Sequence, residues 1–174
     1  MSEVMPIDTM TGLNTRHYFM NILEKEIARA RRYGIALSVF IIDIDYFGKV
    51  DSSSGHEHRD QILSERILSE IGRVIKKNMR KSDMACRYAS QQIAFLLPNS
   101  SEDNARMACE RFRRLLHKYR IESHASPPVH IIVSIGLAAL SPDSKEAAID
   151  LVAKAYQVLQ QAKKSGKNRV EGYK

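Results

Sequence analysis

Apolar residues recur at helical spacing between positions 16 and 33, where Phe19, Ile22, Leu23, Ile27 and Ala30 share one face. Gly34 follows, at the place where a helix commonly ends. The next run, ALSVFIIDID at 36–45, is β-branched and apolar up to a charged end, which predicts a buried strand. A polar stretch at 51–55 reads as a loop. Helical periodicity resumes over 57–78, with Leu63, Ile67, Ile71, Val74 and Ile75 on one face. Two short strands are predicted near 84–88 and 93–97, joined by a tight connection at 89–92. Pro98 and the Ser/Asn cluster after it precede another helix, roughly 102–119. Ser126-Pro-Pro reads as a loop, 130–140 as a strand and 145–164 as a final helix. Gly166 closes that helix, and 169–172 adds a short edge strand. The chain shows no internal repeat and no low-complexity linker. The pattern predicts one α/β domain with mixed strands.

Composition narrows the class of protein. A chain of 174 residues with 44% apolar and 27% charged residues is the size and make-up of one folded domain. No apolar run approaches the roughly 20 residues of a membrane span. The start, MSEVMPIDTM, lacks the features of a signal peptide. Two cysteines, Cys86 and Cys109, make neither a disulfide scaffold nor a metal-ligand spacing, and they read as small core residues. A soluble, cytoplasmic domain is expected. The net charge of +7 favours anionic partners, although most basic clusters read as solvated helix faces. No zinc-finger spacing, RNP-like strand or Trp points to direct nucleic-acid binding.

Few residues carry chemistry on their own. Asp43 and Asp45 stand at the end of the predicted strand, one expected to face a cleft and the other to turn into the fold. An aspartate at a strand end beside basic segments is a weak signal for a magnesium-phosphate site. His56, Glu57 and His58 imitate a metal cluster. His117, His124 and His130 have no ligand spacing and read as solvent or loop residues. Met79, Met84 and Met107 read as core filler. No Ser-His-Asp or Cys-His arrangement is evident.

Six motifs in order change the picture. They are Asp8-Thr-Met-Thr-Gly-Leu13, Asp43-Ile-Asp-Tyr-Phe47, Gly55-His56 with Asp60, Arg87-Tyr88, Val133-Ser-Ile-Gly136, and Ala162-Lys-Lys-Ser-Gly-Lys-Asn-Arg169. Together they resemble the GGDEF family, the bacterial diguanylate cyclase domains, over nearly the whole chain. The resemblance implies a palm-like α/β fold, with a mixed, mainly antiparallel central sheet of about five strands flanked by helices. It places the domain at 8–174 behind a tail at 1–7, and implies a piece of a longer protein, which can be membrane-attached. It also implies that Gly55-His56 is structural and His58 a surface residue.

The family signature is altered. Where the family has Gly-Gly-Asp/Glu-Glu-Phe, this chain reads Ala89-Ser90-Gln91-Gln92-Ile93. Paired glycines allow positive φ in a tight hairpin, which residues with a Cβ resist. By resemblance the first acid is a ligand of the catalytic metal and Asp43 is the retained one. Gln91 offers a neutral carbonyl there and no general base. Asp60 matches the acid that recognises the guanine edge, and Lys163 and Lys167 match cations for the terminal phosphates, Lys167 replacing the usual Arg. Asp51 replaces a guanine-reading Asn, Gly48 replaces a phosphate-facing Lys, and Lys49 lies beside it. Tyr156 and Gln160 depart from the family's Asp and Tyr. No catalytic residue set is expected, and no metal beyond the residual candidate Asp43. Magnesium is expected only if GTP binds.

A second constellation is kept. Arg80-Lys-Ser-Asp83 is an R-x-x-D five residues before the altered signature, the register of the family's inhibitory site for cyclic di-GMP. Of the 15 arginines, Arg80 alone has Asp three residues on. Arginine pairs with guanine O6 and N7 or stacks on the base, while aspartate accepts from its N–H groups. Arg111 falls near the family's further arginine contact, with Arg113 and Arg114 as neighbours. The competing reading of Arg80 and Asp83 is a surface ion pair of little energetic weight. The sequence thus points to a catalytically inactive GGDEF-like domain that binds cyclic di-GMP in bacterial second-messenger signalling. Partner domains, or a homodimer, would receive the signal. The alternatives are a noncatalytic dimerisation or protein-interaction module and a GTP-sensing regulatory domain.

Overall fold

A computed structural model describes residues 6–45, 57–123 and 126–174, with the side chains of 57–60, 122–123 and 126–129 outside that description. In chain order the first elements are β1 (Asn14–Thr15), α1 (Arg16–Tyr33), β2 (Leu37–Ile44), α2 (Glu57–Asn78), β3 (Met84–Ala89) and β4 (Gln92–Pro98). They are followed by α3 (Glu102–Lys118), β5 (Arg120–Ser123), β6 (Ser126–His130), β7 (Val133–Ala139), α4 (Ala148–Lys164) and β8 (Val170–Gly172).

Strand β2 is buried along its whole length, which is why it reads as a continuous apolar run. It lies inside a six-stranded sheet of order β1-β3-β4-β2-β7-β8. Both of its neighbours, β4 and β7, are antiparallel to it, while β1 and β8 pair in parallel at the two edges. Alternate residues of β2 serve two cores. Phe40, Ile42 and Ile44 pack with α2 and α3, and Leu37, Val39 and Ile41 with α1 and α4. On the first face Phe40 stacks on its register partner Phe95 at 4.3 Å, and Phe112 of α3 closes on Phe95 at 5.0 Å. Burial of each such ring contributes roughly 1.5–3 kcal/mol.

Helix ends follow local chemistry. Gly34 takes φ +62° after α1, as its position in the sequence predicts. The Ser101 hydroxyl accepts from the Asn104 N–H at the start of α3. The final helix starts at Ala148 rather than 145, because Glu146 turns back to accept from Ser144 Oγ while Asp150 accepts from the Ala147 N–H.

The mixed sheet, expected with about five strands, has six, the two-residue β1 being too short to leave a periodic trace. Three other expectations change. The Ser126-Pro-Pro segment is not a loop but part of β6, which forms a separate two-stranded ribbon with β5. Proline is tolerated there because a two-stranded ribbon leaves outward N–H positions without a ladder partner. The strand predicted at 130–140 is divided between β6 and β7. Met107 is 71% exposed and is not core filler, whereas Met79 and Met84 pack against the two cores. Cys86 and Cys109 are buried free thiols; burial pushes the first up to about 12 and the second well above its ordinary value. Among the described residues no helix is long and apolar enough to cross a membrane.

Candidate functional site

The end of β2 carries a buried carboxylate. Asp43 is 5% exposed and stands in register between Gln92 of β4 and Ser134 of β7. Gln92 Nε2 donates to Asp43 Oδ2 at 2.8 Å, and Lys163 Nζ lies 3.2 Å from the same oxygen. Lys163 reaches it from the last turn of α4. That approach depends on Gly136 in β7, where a Cβ would stand 2.1 Å from the Ala155 carbonyl oxygen and 2.5 Å from the Leu159 nitrogen.

Asp45 accepts from the Ser134 hydroxyl and from the backbone N–H of Asn168. Burial pushes its carboxyl above the usual range, the Asp43 charge adds to this, and the hydrogen bonds and Lys163 oppose it. Asp43 and Asp45 therefore do not diverge as expected. Residues two apart on an extended chain share a face, and the charge of Lys163 acts on both carboxylates.

The altered signature forms the β3–β4 turn. Ala89 pairs with Gln92, leaving Ser90 and Gln91 as the two turn residues. Neither has positive φ; outside glycine, among the described residues, positive φ occurs at Asn99, Lys167 and Asn168. A register shift between Arg87 and Ala89 lets the strands close without the glycine conformations. The turn is held by Arg87 Nη2 donating to the Ser90 carbonyl and by the Ile44 N–H donating to the Gln91 carbonyl. Arg87 also lies 3.6 Å from Asp8, whose carboxylate accepts from both the N–H and hydroxyl of Thr11. The first motif thus supports the hairpin.

Lys167 follows Gly166 in a left-handed turn, with φ of +115° at Gly166, +63° at Lys167 and +48° at Asn168. The Lys167 N–H donates to the Ala162 carbonyl, and Arg113 donates to the Asn168 side chain. Lys163 and Lys167 share this end of α4, but it is Lys163 that engages Asp43. Asp60 lies in the first turn of α2 with its side chain outside the described residues, as is that of His58. Gly48, Lys49, Asp51, Gly55, His56 and His124 lie outside the described residues altogether.

The R-x-x-D residues sit between α2 and β3. The Asp83 carboxylate accepts from the Arg80 N–H at 3.4 Å, and the Asp83 N–H donates to the Arg80 carbonyl at 3.1 Å. Asp83 therefore meets Arg80 through its backbone, and the ion pairs among the described residues do not include their side chains. Arg111 of α3 donates from Nη1 to the Asn78 carbonyl at 3.0 Å, which brings its guanidinium to the end of α2. Burial pushes the Asp83 carboxyl above the usual range; the backbone bond from Arg80 and the charges of Arg80 and Arg111 pull the other way. All three residues expected to bind the ligand thus meet at one place. Arg113 and Arg114, the neighbours left open in sequence, turn instead toward Glu110. An open groove along α3 starts beside Arg111 and includes Arg106, Met107, Arg114 and Leu115.

Among the described residues, the strand end brings Asp43 two donors rather than further carboxylates arranged for a metal. Magnesium bound to triphosphate is held chiefly by carboxylates in near-octahedral geometry. Here Gln92 must present its amide N–H₂ to Asp43, since a carboxylate only accepts, and an ammonium stands against the same oxygen. Among the described residues no group of three or more His, Cys, Asp or Glu is arranged to hold a metal ion. Sequence reasoning found Asp43 and Lys163 but not their contact. The sign was there: two donors, Gln92 and Lys163, share the strand end with Asp43.

The family described as "Diguanylate cyclase, GGDEF domain" matches residues 5–169. Diguanylate cyclase DosC of Escherichia coli K12 is 32% identical over 170 residues, 97% of this chain and 35% of DosC. The response regulator PleD of Caulobacter vibrioides NA1000 is 31% identical over 173 residues, 98% of this chain and 36% of PleD. The chain spans about a third of the length of these relatives. The GGDEF domain of DgcB from Caulobacter crescentus, solved in complex with c-di-GMP, shares the fold with a TM-score of 0.85 at 23% identity, over 100% of this chain and 96% of that one. With its sheet, its ordered motifs and a match along almost all its length, the chain belongs to the diguanylate cyclase GGDEF-domain family.

Proposed function

We propose that this chain is a catalytically inactive GGDEF domain that acts as a receptor for cyclic di-GMP, with Arg80, Asp83 and Arg111 as the ligand-binding residues. The observation that carries the reading is their convergence: Asp83 fixes the Arg80 turn, and Asn78 holds Arg111 against it. Because Asp83 bonds the Arg80 backbone, the Arg80 guanidinium stays free of it for a guanine O6 and N7 or for stacking on the base. Two guanidinium groups beside one carboxylate match a ligand that carries both phosphates and guanine edges.

Inactivity rests on the strand end. Neither Gln91 nor Gln92 serves as a base or an anionic metal ligand, and Asp43 is already engaged by a cation. A receptor of this kind acts in bacterial second-messenger signalling in the cytoplasm, on an attached output domain, a partner protein or a second copy. It does so only if the ligand prefers one arrangement of the two bodies over another.

Calorimetric titration of the purified chain with cyclic di-GMP tests the reading, with Arg80→Ala as control. Loss of one paired guanine contact, about 1–3 kcal/mol, corresponds to an affinity roughly 5- to 150-fold weaker. Absence of binding to the unaltered chain in calorimetry and in an orthogonal assay would overturn it and leave an interaction module.

A further inference from the structure

We propose that Lys163 is a built-in counter-ion at the end of β2, a fixed ammonium that closes this strand end to divalent cations and to the phosphates they accompany. The inference goes beyond the receptor reading and stands whether or not cyclic di-GMP binds. It begins from the burial of Asp43. A carboxylate 5% exposed needs an opposite charge and hydrogen bonds, and Asp43 Oδ2 receives both, Lys163 Nζ at 3.2 Å and Gln92 Nε2 at 2.8 Å.

The rest of the neighbourhood is arranged around that pair. Gly136 removes the side chain that would hold α4 away from β7, and Ala162, beside Lys163, is fully buried. The carbonyl of Ala162 accepts from the Lys167 N–H, so the last turn of α4 is tied at the residue before the lysine. The ammonium also acts on Asp45, whose Oδ2 accepts from Ser134 while its buried Oδ1 has no hydrogen-bond partner among the described residues. The ammonium thus pairs directly with Asp43 and acts at longer range on Asp45.

Two exclusions follow. A metal ion approaching Asp43 meets a positive charge about 3 Å away, a repulsion that a partly buried site screens little. A triphosphate that arrived without a metal and drew Lys163 to itself would leave Asp43 buried without its counter-charge, which is costly. Of the two cations that the sequence offers for phosphate, Lys163 is therefore already in use, and a magnesium-dependent GTP sensor is the function this arrangement opposes.

The test uses thermal unfolding and Mn²⁺ titration followed by electron paramagnetic resonance, both on the full chain. The unaltered protein is expected to show no saturable Mn²⁺ binding at the strand end and no rise in Tm with millimolar Mg²⁺. Lys163→Met is expected to lower Tm by about 5 °C or more, and to gain a Mn²⁺ site that Asp43→Asn/Lys163→Met lacks. That double variant is expected to recover part of the lost Tm, and it keeps the test valid if Lys163→Met alone folds poorly. Mn²⁺ binding by the unaltered protein that Asp43→Asn removes would overturn the proposal. So would a Lys163→Met variant as stable as the parent.

Discussion

Arg111 donates a hydrogen bond to the backbone carbonyl of Asn78, joining the outer side of α3 to the last turn of α2. The bond occupies one nitrogen of the guanidinium and fixes the group beside Asp83. Arg111→Ala is expected to weaken cyclic di-GMP binding by roughly tenfold, the value of about 1.4 kcal/mol for a single charged contact. Arg113→Ala, which removes a side chain engaged with Glu110 and Asn168, is expected to leave affinity unchanged. Parallel calorimetric titrations of the two variants check the distinction.

The seam between α4 and β7 is tested at Gly136. An added methyl group meets backbone atoms rather than a side chain that can swing aside, so the helix itself must move. Gly136→Ala is expected to cost about 2 kcal/mol or more in urea denaturation. It should also lengthen the separation of Lys163 and Asp43, which nuclear magnetic resonance of the lysine ammonium can follow.

Acid sensitivity has a local source at Glu146. Burial pushes its carboxyl up, but hydrogen bonds from Lys154, Ser144 and Ser141 outweigh this and hold it below the usual 4.5. A carboxyl whose folded-state pKa is depressed contributes stability above its unfolded value, and that contribution is lost as pH falls through the folded value. Lys154→Met is therefore expected to destabilise the protein by about 1 kcal/mol at neutral pH and by much less near pH 3, as read from urea denaturation at the two pH values.

The thiols supply a probe of global opening. Both cysteines are buried, and burial holds each as a protonated thiol at neutral pH. A chromogenic disulfide reagent is expected to leave the native protein unmodified for as long as it stays folded, and to titrate both thiols in denaturant. Rapid reaction of one thiol in the native protein would contradict the burial described.

Much of the fold was legible because long elements repeat their pattern. The eight residues of β2 and the stripe Leu63, Ile67, Ile71, Val74 and Ile75 repeat long enough to be read. A two-residue strand such as β1 does not, and a ribbon that contains two prolines reads as a loop. Met107 illustrates a different failure. The buried face of α3 is Ala105, Cys109, Phe112 and Leu116, and Met107 lies about 200° from Ala105 at 100° per residue. Its position relative to those neighbours, more than its chemistry, placed it on the surface. At the candidate site the residues were legible by resemblance, but their pairing was not. Whether a lysine waits for a phosphate or already serves an aspartate depends on how closely a helix approaches a strand, and that is written in Gly136.

The margins of the sheet carry a further consequence. On one side β1 covers β3 at Cys86 and Arg87, and the side-chain amide of Asn14 donates to the Ala85 carbonyl just beyond. On the other side β8 covers β7 from Ile135 to Leu137, with the Tyr173 N–H donating to Leu137. Two very short strands thus act as selvedges that keep the long inner strands from fraying into a neighbour's sheet. A second copy or a partner gains little by adding a strand to this six-stranded sheet, which leaves recognition to the β5–β6 ribbon and to side chains on helices and turns, where charge and shape can be altered without reweaving the sheet.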